Sequence, residues 1–103
     1  MNELLTLEDI DNIEDGAETE LEYYESIQRA INSGSAWSMQ GSYGRSMFDA
    51  IQGGYCMLGK RSFKDYYGNF IPSRDDICWG ERGSYDYVKK LQGQEWADMM
   101  GDI

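Results

Sequence analysis

The chain has 103 residues, a formal net charge of −10, 41% hydrophobic residues, two cysteines and no histidine. That length holds one domain with a modest core. The missing histidine removes Ser-His-Asp and Cys-His nucleophile systems, and two cysteines without histidine cannot fill an ordinary N/S zinc shell.

Residues 1–16 are acidic with sparse apolar positions, Leu4, Leu5, Leu7, Ile10 and Ile13. Thr6 followed by Asp9 resembles a helix-starting box, so a short helix is expected from Leu7 to about Asp15, broken by Gly16. Residues 17–32 read as the clearest helix, with Ala17, Leu21, Tyr24, Ile27 and Ile31 on one side at 3.6 residues per turn. Asn32-Ser33-Gly34-Ser35 ends it with turn chemistry. Residues 36–44 read as a loop anchored by Trp37. A further helix is expected from Gly44 or Arg45, carrying Met47, Phe48 and Ile51 and stopping at Gly53-Gly54. Tyr55-Cys56-Met57-Leu58 is a buried strand or an extended connector, since periodicity cannot separate the two over four residues. Residues 59–83 hold the one proline, Pro72, and the basic cluster Lys60, Arg61 and Lys64. A stretch that long should hold a hairpin or a 3₁₀ turn, or be functional. The last helix runs from about Ser84 to Met100 with Tyr85, Val88, Leu91, Trp96 and Met99 on its apolar arc, and Gly93 weakens it. The expected fold is mainly α: a small helical domain with a long irregular or short β segment between the second and last major helices. The organisation reads as an acidic leader over 1–16 and a single α-rich domain over 17–103. Eight Tyr, three Trp and three Phe lead us to expect an aromatic core.

Residues 1–28 contain ten acids and no base, whereas residues 29–103 contain nine of each. The whole net charge therefore belongs to the first quarter of the chain. A one-signed segment on a neutral body is suited to a positive partner. Glu18, Glu22 and Glu25 fall at i, i+4 and i+7, about 4.5–6 Å apart along a helix. Asp11 and Glu14 join that face if the helix continues back through Gly16. Such spacing approaches that of phosphates along a nucleic acid strand, so the row can imitate a DNA backbone. An ordinary solvated acidic leader accounts for the same composition. Asp9, Asp11, Glu14 and Asp15 cluster but lack the Asx/Gly spacing of a calcium loop, so no metal and no cofactor is expected.

Two further patterns carry chemistry. Gly41-Ser42-Tyr43-Gly44-Arg45-Ser46 and Gly80-Glu81-Arg82-Gly83-Ser84 place glycine and arginine near helix starts, where backbone N–H groups favour anions. Neither matches a Walker A loop or a dinucleotide fingerprint, and glycine and serine are also ordinary turn and cap residues. Asp65-Tyr66-Tyr67-Gly68-Asn69-Phe70-Ile71-Pro72-Ser73-Arg74 sets adjacent tyrosines beside bases, which can stack a nucleotide or simply pin a loop to the core. Arg45, Arg74 and Arg82 with Tyr66 and Tyr67 are thus the candidate residues for a nucleotide or phosphorylated-signal site. Cys56 and Cys78 read as free thiols rather than a disulfide framework. Met1–Ile10 has no positive n-region, and no stretch approaches the length of a membrane span, so a soluble, reducing setting is expected.

Ser35-Ala36-Trp37, Gln40-Gly41-Ser42-Tyr43-Gly44-Arg45, Cys56-Met57-Leu58-Gly59, Asp65-Tyr66-Tyr67-Gly68-Asn69, Ile71-Pro72-Ser73-Arg74 and Gly83-Ser84 occur in this order. Over about residues 35–90 the chain resembles a group of small uncharacterised proteins encoded by bacteriophages. The resemblance assigns no catalytic residue. It implies the cytoplasm of a bacterial host and a class of proteins that block host systems, among them acidic DNA mimics and anti-CRISPR proteins.

The sequence therefore favours a non-enzymatic phage-type inhibitor of a host defence or DNA-handling protein. Asp11, Glu14, Glu18, Glu22 and Glu25 would engage a basic, nucleic-acid-binding groove, with Tyr23, Tyr43 or Tyr67 adding contact. No direct nucleic acid or membrane binding is expected, and homo-oligomerisation stays open. The alternatives are a module that sequesters a nucleotide or phosphorylated signal, and a phage structural or assembly protein.

Overall fold

A computed structural model describes residues 7–34, 42–64, 68–78 and 80–103. Thr6, Trp37, Tyr66 and Tyr67 lie outside the described residues, as does the side chain of Tyr43. Among the described residues the architecture is mainly helical with one two-stranded sheet.

The first two helices, α1 (Leu7–Asp15) and α2 (Glu20–Ser33), pack side by side as a helical hairpin. Gly16, at φ 91°, ends α1 and donates its N–H to Asn12 at 3.0 Å. The helix therefore does not continue through Gly16. Thr19 restarts it as an N-cap, its hydroxyl accepting from the N–H of Glu22 at 3.1 Å. Glu20 and Glu22 in the first turn suit the positive end of the helix dipole. The far end closes at Gly34, whose φ of 77° is left-handed and whose N–H reaches the carbonyl of Ile31. A Cβ at Gly34 would run into the ring of Phe63, so glycine serves both the cap and the packing. From Leu7 onward, the segment expected to be a leader is thus a docked helix with Ile13 in the core.

Helix α3 (Ser42–Gln52) packs on α2 and buries Met47, Ala50 and Ile51. Tyr55–Leu58 follows as a connector rather than a strand, bending off α3 with the N–H groups of Tyr55 and Cys56 on the Ala50 carbonyl and with Cys56, Met57 and Leu58 buried. Strands β1 (Phe63–Lys64) and β2 (Phe70–Ile71) pair antiparallel, with Phe63 opposite Ile71 and Lys64 opposite Phe70. This is the hairpin expected in the long irregular stretch. Asp76 accepts from both the N–H and the hydroxyl of Ser73 and pins the next turn. The connector is tied from two sides: Leu58 N–H donates to Gly83, and Arg74 N–H donates to Gly59, both at 2.9 Å.

The single long helix expected from Ser84 is two helices, α4 (Tyr85–Gln92) and α5 (Gln94–Asp102). Ser84 caps α4 by accepting from Tyr87 N–H at 3.2 Å. Gly93 adopts φ 99°, ψ 162°, a region essentially reserved to glycine, and ends one helix while its carbonyl starts the other.

The core differs from the aromatic one expected. Its buried members are Ile13, Ile27, Ala30, Ile31, Met47, Ala50, Ile51, Cys56, Met57, Leu58, Val88, Ala97 and Met100, and no described aromatic is among them. The rings stand at its edge because their polar tips need partners. Tyr24 stacks on Tyr55 at 4.3 Å between ring centroids, and Trp96 meets both edge-on. The indole N–H of Trp96 donates to the carbonyl of Tyr55 at 2.8 Å, and Tyr87 donates to the carbonyl of Gln52.

Burial pushes the Tyr24 phenol up to about 12, helped by the neighbouring Tyr55, and pushes the Cys56 thiol up as well. Both groups are raised above their unfolded values, so their contribution is complete below the ordinary pKa and is lost as pH rises. The midpoint in urea should therefore hold steady up to about pH 9 and fall on the way to pH 12, with Tyr24→Phe flattening the decline. A decline unchanged by Tyr24→Phe would remove this phenol as a cause.

Candidate functional site: an acidic helical hairpin

Residues 7–33 contain nine acids and one base. Asp9 is turned inward, its side chain only 3% exposed. Arg29, on the facing side of α2, donates from Nε to both carboxylate oxygens at 2.9 and 3.0 Å, and its Nη2 lies 2.8 Å from Oδ1. Ser26 donates its hydroxyl to the same carboxylate at 3.0 Å, and the Asn12 amide donates to Ser26. The hydrogen bond to Asp9 holds the Arg29 guanidinium above its ordinary pKa against the opposing effect of burial, with Glu25 and Glu8 adding to it. The one base of the hairpin is thereby committed to a buried acid, and this clip fixes α1 on α2.

The other acids point outward. Asp9, Asn12 and Ile13 face α2 and the core, so Asp11 and Glu14 lie on the outer side of α1, both exposed. Glu22 is exposed and Glu25 half-buried on the open face of α2, with Arg29 one turn further on. Glu18 is exposed but precedes the N-cap Thr19, whose backbone is extended at φ −129°, ψ 157°. The continuous row expected from Asp11 to Glu25 along one helix is therefore not formed. In its place two antiparallel acidic faces meet across an ion pair whose acid is buried and whose base is about a third exposed, at 35%. Among the described residues no group of three or more acids and cysteines is arranged to hold a metal ion.

Of the residues considered for a phosphate site, Tyr66 and Tyr67 lie outside the described residues, and the three arginines differ in setting. Arg45 and Arg82 are exposed. Arg74 turns inward: its Nε donates to the carbonyl of Leu58 at 2.7 Å, and Nη2 lies 3.4 Å from Asn32 Oδ1. Gly83 and Ser84 serve a turn and a cap. Cys56 is buried and donates to the carbonyl of Tyr24, Cys78 is exposed, and both are free thiols.

Sequence reasoning missed two polar residues that organise this architecture. Arg29 lies one residue beyond the acidic block, so composition groups it with the neutral body. Gln28 is fully buried, and its amide grips the Met57 backbone at both N–H and C=O, each at 2.9 Å. Its Nε2 also donates to Asn32, whose own amide reaches the Ile103 carbonyl. A polar residue on the apolar side of an otherwise regular stripe was the available signal. No helix among the described residues is long and apolar enough to cross a membrane. No protein-family model, curated protein or solved structure matches the chain.

Proposed function

We propose that the chain is a phage-type inhibitor of a host defence or DNA-handling protein, acting in the bacterial cytoplasm through its acidic hairpin. The observation supporting this reading is the commitment of Arg29 to Asp9. It leaves the outward charge of α1 and α2 of one sign and holds it on a docked scaffold. A partner that grips DNA through Lys and Arg would meet carboxylates where it expects phosphates. The inward turn of Arg74 favours this reading over nucleotide sequestration.

The test is capture of nucleic-acid-binding proteins from bacterial lysate, followed by titration of the purified partner over a salt series. Binding should weaken steeply as salt rises. Reversal of Glu18, Glu22 and Glu25 to Lys should cost at least about 100-fold in affinity, because like charges then face each other across the contact. Equal affinity of the reversed protein, or indifference to salt, would sink the proposal.

A further inference from the structure

A second surface is built without residues of α1 or α2. Phe48 on α3 and Phe70 on β2 are 55% and 63% exposed, unusual for residues of this size. They line an open groove of about 380 Å³ together with Ile51, Ile71, Pro72 and Ile77, and Arg82 closes its margin. Two more cations flank the rings. Arg45 precedes Phe48 by three residues on α3, which places both on one helix face. Lys64 is the cross-strand partner of Phe70, so the two side chains leave the same face of the hairpin about 4.5–5.5 Å apart at Cβ. None of Arg45, Lys64 and Arg82 has an ion-pair partner among the described residues. Three exposed acids adjoin groove residues in sequence: Asp49 follows Phe48 and is turned about 100° from it around the helix, Asp76 is engaged by Ser73, and Glu81 accepts from the Cys78 N–H.

We propose that this groove is a docking site for a short peptide segment of a partner protein, bearing two large apolar side chains flanked by acids. The exposed rings supply apolar contact, and the three unpaired cations select the charge of the flanks. At about 380 Å³ the groove accommodates a few side chains, the scale of a short peptide segment. A linear segment fits it better than a second folded copy. The proposal does not rest on the acidic hairpin, which would bind a partner of opposite charge.

The probe is a fluorescein-labelled twelve-residue peptide with Leu at i and i+4 and Asp or Glu at the flanking positions, titrated into the full chain by anisotropy. Two control peptides carry Lys in place of the acids, or Ser in place of the leucines. Saturable binding of the acidic peptide is expected, with at least tenfold weaker binding of both controls and of the variants Phe70→Asp and Arg82→Glu. Both variants alter exposed side chains, and their far-ultraviolet circular dichroism should match the parent. The idea fails if the lysine peptide binds equally well or if Phe70→Asp leaves affinity unchanged. It fails in favour of self-association if the chain alone shows a concentration-dependent mass in sedimentation that Phe70→Asp abolishes. Charge reversal of Glu18, Glu22 and Glu25 should leave peptide binding intact, which separates this site from the hairpin.

Discussion

Arg29→Ala is expected to destabilise the fold by about 3–5 kcal/mol, because it removes the cationic partner of the Asp9 carboxylate and leaves that charge in a buried position. Asp9→Ala should cost less, about 1–3 kcal/mol, since Arg29 keeps roughly a third of its side chain in water and can be rehydrated. This asymmetry separates the present geometry from a surface ion pair, for which both truncations would sit near 0–1 kcal/mol. Urea denaturation of the two variants measures it. If Arg29→Ala undocks α1 rather than unfolding the domain, the denaturant slope will fall along with the midpoint, because less surface remains to be exposed. Equal, small effects would show that the carboxylate finds water without leaving its place.

Gln28→Leu is the second large expected effect. The substitution nearly preserves volume and raises hydrophobicity, so burial alone predicts tolerance. The hydrogen bonds predict the opposite. Met57 would lose the partners of both its N–H and its C=O in a buried segment, and each orphaned group costs about 1–3 kcal/mol. Asn32 would also lose the donor from Gln28. Thermal unfolding should drop well below the parent, with Gln28→Glu also poor because a carboxylate cannot donate to the Met57 carbonyl. A Leu variant as stable as the parent would mean that the connector repacks and finds other partners.

Much of the helical framework was legible because it rests on local chemistry. The 3.6-residue spacing of Tyr24, Ile27 and Ile31 gave α2, Gly16 and Gly34 bounded it, and Gly53-Gly54 closed α3. Composition marks Gly93 as a weak point in a helix, but a residue at φ 99° does not soften a helix, it divides it. Apolar spacing runs back through Ala17 and so predicts a start there, whereas the Thr19 cap excludes residues 17 and 18. That shift of register removed Glu18 from the helical row. What the sequence did not disclose was nonlocal. Pairing of Asp9 with Arg29 across twenty residues, and of Gln28 with the backbone of Met57 across twenty-nine, depends on the helices folding back on one another. Aromatic abundance misled for a related reason. Tyrosine and tryptophan bury area well, but their hydroxyls and N–H groups draw them to places where carbonyls are within reach, at the rim of an aliphatic and methionine centre.

The contrast between the two cysteines has a practical consequence. The Cys56 thiol is enclosed, pushed up by burial and bonded to a carbonyl, so it will not ionise or meet a reagent while the fold is intact. Cys78 stands in the open, directly after Ile77 of the apolar groove. A maleimide dye added to the folded chain will therefore mark one position without any engineered substitution. Placed there, the dye becomes a reporter that brightens or dims as the neighbouring groove fills.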